Sequence, residues 1–303
     1  MKNDHYRISQ TAILCADVRA LATHIPYAAA LFEEVAENAE GRMNSVVSHW
    51  LKKWFLRVPF LKSMVAKISL LEGRYFANNE AVEQLFGQEA PILEIAAGLS
   101  TRALHLGGTR LYLETDLEDL IEQKHRITEA VLRKVGQHAP PRLVRLSVNA
   151  LDYDQIKSAA RTLRAQEPTK PFVILHEGMI MYFDDEEQVR FRDNMRKLLE
   201  EFNPNGAWIT TDFALRPDKK GFLRQLMGKL EKNTGRPFNY FESDAEVAGF
   251  LEQGGLKVRF RPNEHIAKGL SCIDKIGLKP ADVLLYAPEY RAAVVTLAEP
   301  ACA

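Results

Sequence analysis

The chain has 303 residues, 46% of them hydrophobic, which suffices for one large or two small domains with a buried core. Forty basic residues balance forty acidic ones, so no long-range field recruits nucleic acid or a membrane surface. Three scattered cysteines, Cys15, Cys272 and Cys302, make neither a disulfide framework nor a metal site, and with no signal core or bilayer-length apolar run a soluble, cytoplasmic protein with reduced thiols is expected.

Residues 1–88 read as helical throughout, a cap ahead of the remaining domain, 89–303; apolar positions at helical spacing run from Ala28 after Pro26. Within the cap, Trp50 to Lys62 is both aromatic and basic, the pattern of a helix that packs its rings on the domain and keeps its lysines in water. Pro91 to Ala103 then reads as strand, tight turn and helix. Ile92, Leu93 and Ile95 form the strand, Ala96-Ala97-Gly98 the turn, and Ser100-Thr101 can cap the helix that follows. Residues this small let a ligand approach the backbone, and the N–H groups of a helix start favour an anionic group. The second glycine of a G-x-G-x-x-G fingerprint is missing, and Glu94 inside the strand would repel a pyrophosphate. An acid there instead suits a ligand with a cationic amino group, such as the methionine moiety of S-adenosylmethionine.

Leu111 to Asp116 is a second strand that ends in an acid, eighteen residues after Gly98. A carboxylate at that place accepts both ribose hydroxyls of a nucleoside, in NAD enzymes and methyltransferases alike. The third strand, Leu143 to Val148, ends in Asn149-Ala150, an amide and a backbone N–H able to read an adenine edge. The fourth, Phe172 to Leu175, ends in His176-Glu177-Gly178. Helices fill the gaps: Leu117 to Val135, Tyr153 to Gln166, and one that opens with the capping box Asp184-Asp-Glu-Glu187 and runs to about Phe202. After the turn Asn203-Pro-Asn-Gly206 comes a fifth strand, Ala207 to Asp212. Strands alternating with helices imply a parallel sheet covered on both faces.

From 213 to 242 the alternation pauses in a basic stretch, Arg216 to Arg236, which reads as a lid whose cations attract an acidic substrate. Ser243-Asp-Ala-Glu246 opens another helix with a capping box, and it ends at Gly254-Gly255. Leu256 to Phe260 and Ala292 to Leu297 are the last two strands, parted by a second insertion near 262–290.

Three segments, Glu94-Ile-Ala-Ala-Gly-Leu-Ser-Thr-Arg102, Tyr112-Leu-Glu-Thr-Asp116 and Glu177-Gly-Met-Ile-Met-Tyr-Phe183, resemble the S-adenosylmethionine-dependent leucine carboxyl methyltransferase family, which includes polyketide O-methyltransferases. Glu72-Gly-Arg-Tyr-Phe76 is a weaker match; Asn149 and Asn78-Asn79 stand where the family has aspartates. The resemblance implies an α/β fold, a doubly wound, Rossmann-like class I methyltransferase sheet of seven strands with the seventh antiparallel between the fifth and sixth. It implies S-adenosylmethionine as cofactor, with S-adenosylhomocysteine as product. Arg74 would hold the cofactor's carboxylate, Ala96 and Gly98 the turn, Asp116 the ribose, and Glu177, with Glu94, the methionyl end, while Asn149 and Ala150 take the adenine. His176 is the nearest candidate for a general base, and Tyr182 and Arg216 are candidates to line the acceptor site. The expected activity is O-methylation of a carboxylate or hydroxyl on a small, largely apolar acid. A protein carboxyl acceptor, an NAD-dependent dehydrogenase and a non-catalytic binding protein are the rivals.

Overall fold

The structure, a computed structural model, describes residues 12–13, 15–16, 19–20, 22, 24–38, 62–213, 215, 228, 231, 236–262, 264, 266–286 and 291–298. The stretch from Trp50 to Phe60 and most of the basic segment, including Arg216 and Arg224, lie outside the described residues.

Seven strands form one sheet: β1 (Ile92–Glu94), β2 (Tyr112–Asp116), β3 (Leu143–Ser147), β4 (Val173–His176), β5 (Ala207–Thr210), β6 (Leu256–Pro262) and β7 (Arg291–Leu297). Their spatial order is β3-β2-β1-β4-β5-β7-β6. The first five are parallel, and β7 runs antiparallel to both β5 and β6. The order reverses beside β1, so the carboxyl ends of β1, β2 and β4 meet around one crevice, where doubly wound sheets bind their ligands.

Period-two alternation sorts the strand residues onto two faces. Leu93, Ile174 and Trp208 pack under helices α5 (Tyr153–Gln166), α6 (Asp185–Phe202) and α7 (Asp244–Glu252), through Ile156, Leu163, Phe191, Met195, Val247 and Leu251. On the other face Ile92, Tyr112, Val173, Leu175 and Ile209 meet Ala81 and Val82 of α2 (Lys62–Phe86) and Ala103 and Leu106 of α3 (Arg102–Leu106). The long helix ahead of β1 therefore lies on the sheet and shares its core. The remaining early helix, α1 (Ala28–Asn38), packs Leu31, Phe32 and Val35 on Leu120, Ile127 and Val131 of α4 (Glu118–Lys134).

Local signals explain several ends. Asp184 accepts the N–H of Glu187, whose side chain accepts that of Asp184 in return, the reciprocal cap expected at the start of α6. Ser243 caps α7 through the N–H of Glu246, but the Glu246 carboxylate takes the N–H of Glu242, so that box is not reciprocal. Thr101 makes no cap for α3. Its hydroxyl donates instead to the carbonyl of Pro26, tying the turn to the segment before α1. The insertion between β6 and β7 holds α8 (Ser271–Ile276) and α9 (Pro280–Tyr286), and with Ile266, Leu270, Leu278 and Val283 it buttresses α2 at Ala77.

The start of β4 is pinned by Asn203, which is fully buried after α6. Its amide oxygen accepts from the N–H of Phe172 at 2.9 Å and its amide nitrogen donates to the Phe172 carbonyl at 2.6 Å. Gly206 allows this, since a Cβ there would overlap the Asn203 side chain. Asn203→Ala leaves both Phe172 groups buried and unpaired, and we expect about 2–4 kcal/mol of lost stability. Urea denaturation checks this; an unchanged midpoint would show that the pair contributes nothing.

Candidate functional site

The turn after β1 carries the sharpest backbone of the site. Ala96 has φ +52° and Gly98 φ +48°, both in the left-handed region, which a non-glycine residue enters only at a cost. The turn is fastened to β2: Ala97 N–H donates to the carbonyl of Thr115 at 2.9 Å, and Gly98 N–H to Oδ2 of Asp116 at 2.7 Å. Oδ1 of Asp116 accepts from Leu117 N–H at 2.8 Å. Each oxygen of this buried carboxylate keeps a further lone pair. Burial raises the Asp116 pKa above its ordinary value, and the two N–H groups act the other way. Among the described residues, a Cβ built on Gly98 would meet Ala12, at 3.8 Å.

Beside the turn lies a cluster of buried charges. Glu177, just past β4, receives Nη2 of Arg102 on Oε2 at 2.5 Å and Nη2 of Arg19 on Oε1 at 2.6 Å. Burial alone would raise its pKa, but Arg19, Arg102 and Arg74 outweigh it and bring the group down to about 2. Arg102 is itself fully buried. It reaches Oε1 of Glu94 through Nη1 and Oδ1 of Asn79 through Nε at 2.8 Å, and it lies 4.8 Å from the Tyr75 ring centre. The second oxygen of Glu94 takes the Tyr112 hydroxyl at 2.8 Å, so each Glu94 oxygen already has an internal partner.

Asp212, after β5, is the other buried anion. It accepts N–H groups from Gly178, Met179 and Ile180 at 2.6–2.7 Å, and Nη2 of Arg74 at 2.5 Å. Desolvation disfavours its charge, yet His176, Arg74 and these donors hold its pKa well below the usual carboxylate range. Arg74 also donates to Thr211 Oγ1 at 3.2 Å. Cys15, half-buried on the segment that carries Arg19, sits in the field of this cluster, and burial pushes its thiol up.

The structure brings Arg74 of α2 together with Glu94, Ala96, Gly98, Asp116 and Glu177 at the ends of β1, β2 and β4. Asn149 closes its own loop, its Oδ1 accepting from Leu151 N–H at 3.0 Å and its N–H donating to Gln155, and the Ala150 carbonyl accepts from Asn194. His176 does not face a ligand: it is fully buried between Phe191 and Trp208, with Nδ1 3.4 Å from Asp212 Oδ2. Such a ring cannot take a proton from an acceptor in the crevice. Tyr182 packs edge-on to Phe238, at 4.9 Å between ring centres, in a small cluster with Met181 and Tyr240. Sequence reasoning missed Arg19, Arg102 and Asp212 as members of the site. Arg102 closed the first quoted motif, and Asp212 is one more acid at a strand end, the signal that identified Asp116.

No protein-family model matches the chain, and no curated protein matches it. Among solved structures, a DUF574 family protein from Streptomyces avermitilis is similar with a TM-score of 0.51 at 15% identity, over 79% of this chain and 87% of that one. The fold is the class I methyltransferase fold. PigF, solved with SAH, aligns at a TM-score of 0.47 and 13% identity, over 86% of this chain and 72% of PigF. LepI in complex with SAM gives 0.42 and 9%, with 69% of this chain covering 43% of LepI. Among the described residues no helix is long and apolar enough to cross a membrane, and no group of three or more histidine, cysteine or acidic side chains is placed to hold a metal ion.

The two depressed carboxylates make stability depend on acid. Asp212 and Glu177 titrate below their ordinary values of 3.8 and 4.5, so the unfolded chain binds protons first as the pH falls. Their contribution is complete above about pH 5 and is lost towards pH 2. Asp212→Asn should cost about 3–5 kcal/mol at pH 7, the scale of a broken buried ion pair, and the gap to the unaltered chain should narrow in acid. Denaturation midpoints between pH 3 and 7 test this, and a gap constant with pH would contradict it.

Proposed function

We propose that the chain is an S-adenosylmethionine-dependent methyltransferase that acts on an oxygen of a small, largely apolar acid. The observation that carries the reading is the placement, at three adjacent strands, of Asp116 at the end of β2, the left-handed turn at Gly98 after β1, and Glu177 after β4. A nucleoside fits on the Asp116 side of the turn and an amino-acid end on the Glu177 side. Three arginines, Arg19, Arg74 and Arg102, face three carboxylates, Glu94, Glu177 and Asp212, so the cluster is neutral. The amino-acid end of the cofactor, an ammonium and a carboxylate, adds no net charge at this cluster, and such a group enters it at least electrostatic cost.

On this reading Asp116 uses its remaining lone pairs for the ribose hydroxyls. Glu177 takes the ammonium group, and Arg19 or Arg74 the carboxylate. Glu94, with its oxygens engaged by Arg102 and Tyr112, serves the site indirectly. The bound cofactor supplies an activated methyl group, and what remains for the protein is to position the acceptor and exclude water. A carboxylate acceptor, ionised at neutral pH, needs no general base, which agrees with the burial of His176 away from the crevice. Met181, Tyr182, Phe238 and Tyr240 pack together in the segment that follows Glu177 and in 236–240, and this apolar cluster supports an apolar acceptor. The charge of the segment 213–242, Arg216 included, supports an acidic one.

Asp116→Asn keeps one acceptor oxygen and places a donor where the other stood. We expect calorimetric affinity for S-adenosylmethionine to fall by about 10–100-fold, the range of a lost charge-assisted hydrogen bond. Wild-type affinity in a folded variant would remove Asp116 from the site, and binding of NAD in place of S-adenosylmethionine would overturn the whole reading. Methyl transfer from labelled cofactor to a panel of aliphatic and aromatic acids, phenols and protein extracts tests the acceptor. Labelling of small acids supports the proposal; labelling of proteins alone favours a protein carboxyl methyltransferase, and binding without transfer a non-catalytic protein.

A further inference from the structure

Arg102 is a fully buried cation, and each of its three guanidinium nitrogens has a partner. Nη1 meets Glu94, Nη2 meets Glu177, Nε meets Asn79, and the plane lies against Tyr75. These bonds use three of its five N–H donors, and the group has no exposed surface to offer a ligand. What it touches is nevertheless decisive for one: it fixes Oε2 of Glu177 and leaves Oε1 turned to the Arg19 side of the cluster. Glu94 in turn is held by Tyr112, so a chain of alternating donors and acceptors runs Tyr112, Glu94, Arg102, Glu177, Arg19 from the sheet to the site.

We propose that Arg102 is a positioning residue of the cofactor site, which acts through Glu177 by orienting that carboxylate and keeping it ionised, with Glu94 as its counter-anchor. This rests on the reading of Glu177 as the group that receives a ligand's ammonium. A fork is required because two separate carboxylates, Glu94 at the end of β1 and Glu177 beyond β4, are bridged by one side chain; a lysine ammonium has the charge without that geometry. Without Arg102, burial acts on Glu177 with one fewer cation to oppose it, and a protonated Glu177 offers an ammonium no charge.

The test uses the full chain with S-adenosylhomocysteine as probe, by calorimetry from pH 4.5 to 8. The unaltered protein is compared with the double variant Glu94→Gln/Arg102→Gln, which removes a cation and an anion together, and with Arg102→Lys. Carbon-13 spectra of the side-chain carboxyls in the ligand-free proteins follow the titration of Glu177 directly. In the unaltered protein Glu177 stays ionised across this range and contributes no pH dependence to binding. In the double variant Glu177 should become at least about 300-fold weaker as an acid, which brings its titration from about 2 into the acid end of this range, with Kd raised about tenfold at pH 7 and climbing further as the solution is acidified. Arg102→Lys should fall between the two. A Glu177 titration that stays in place, or a Kd raised by one factor at every pH, would overturn the role, since a purely structural residue behaves that way. If the double variant does not fold, Arg102→Lys decides by the same two readouts. Glu177→Gln separates this role from the broader reading. Wild-type binding by that variant would sink both, whereas lost binding alongside unaffected Arg102 variants would sink only the positioning role.

Discussion

A carboxylate withdrawn from water must be surrounded by donors, and Asp212 is met by three consecutive backbone N–H groups, the Arg74 guanidinium and the His176 ring. Those partners come from α2, from the end of β4 and from the turn beyond it. One buried charge thus fixes where the chain goes after β4 and how α2 lies across the strand ends. Glu177 stands immediately before the N–H groups that Asp212 collects, so its orientation is inherited from that arrangement as well as from its own arginines. The crevice depends on this anchoring more than on any hydrophobic contact, because apolar packing holds elements together without aiming a carboxylate.

Glu94 and Glu177, both acids near strand ends, each have both oxygens engaged. Glu177 meets two arginines, one of them Arg19 from the segment before α1, whereas Glu94 meets Arg102 and a hydroxyl of the neighbouring strand. Glu94 lies on the face covered by α2 and α3, where Arg102 and Tyr112 reach both of its oxygens. Glu114, two residues before Asp116 on β2, repeats the pattern with Lys124 and Arg145. Acids within the strands serve to neutralise cations on the covering helices and partner strands. Asp116, the last residue of β2, and Glu177, the first beyond β4, sit at the crevice.

That distinction was only partly legible in the sequence. Strands, helices and the polar residues at successive strand ends follow from alternation and from turn residues, and they located Gly98, Asp116 and Glu177 in one crevice. The direction of β7 did not follow from alternation, which is the same for parallel and antiparallel strands; the resemblance supplied it. Glu94 read as a ligand because its partner, Arg102, is on the next helix, and nothing in a strand pattern says that a side chain eight residues on folds back over it. Arg19 was invisible for a stronger form of the same reason, since its partner lies 158 residues away; Asp212 showed as an acid at a strand end, but its pairing with Arg74, 138 residues away, did not. His176 looked catalytic by its neighbourhood in sequence, whereas alternation along β4 sends it to the opposite face from Glu94, among Phe191 and Trp208.

The placement of β7 between β5 and β6 also bears on how the protein is made. Until Arg291–Leu297 has been synthesised, β5 has β4 on one side and an open edge on the other, with about eighty residues of chain still to be added before that edge is paired. An unpaired edge beside the large apolar surface of Trp208 is a template for misassociation. Completion of the sheet therefore waits on a contact distant in sequence, which slows folding and lengthens the time for which the nascent chain needs protection from its neighbours.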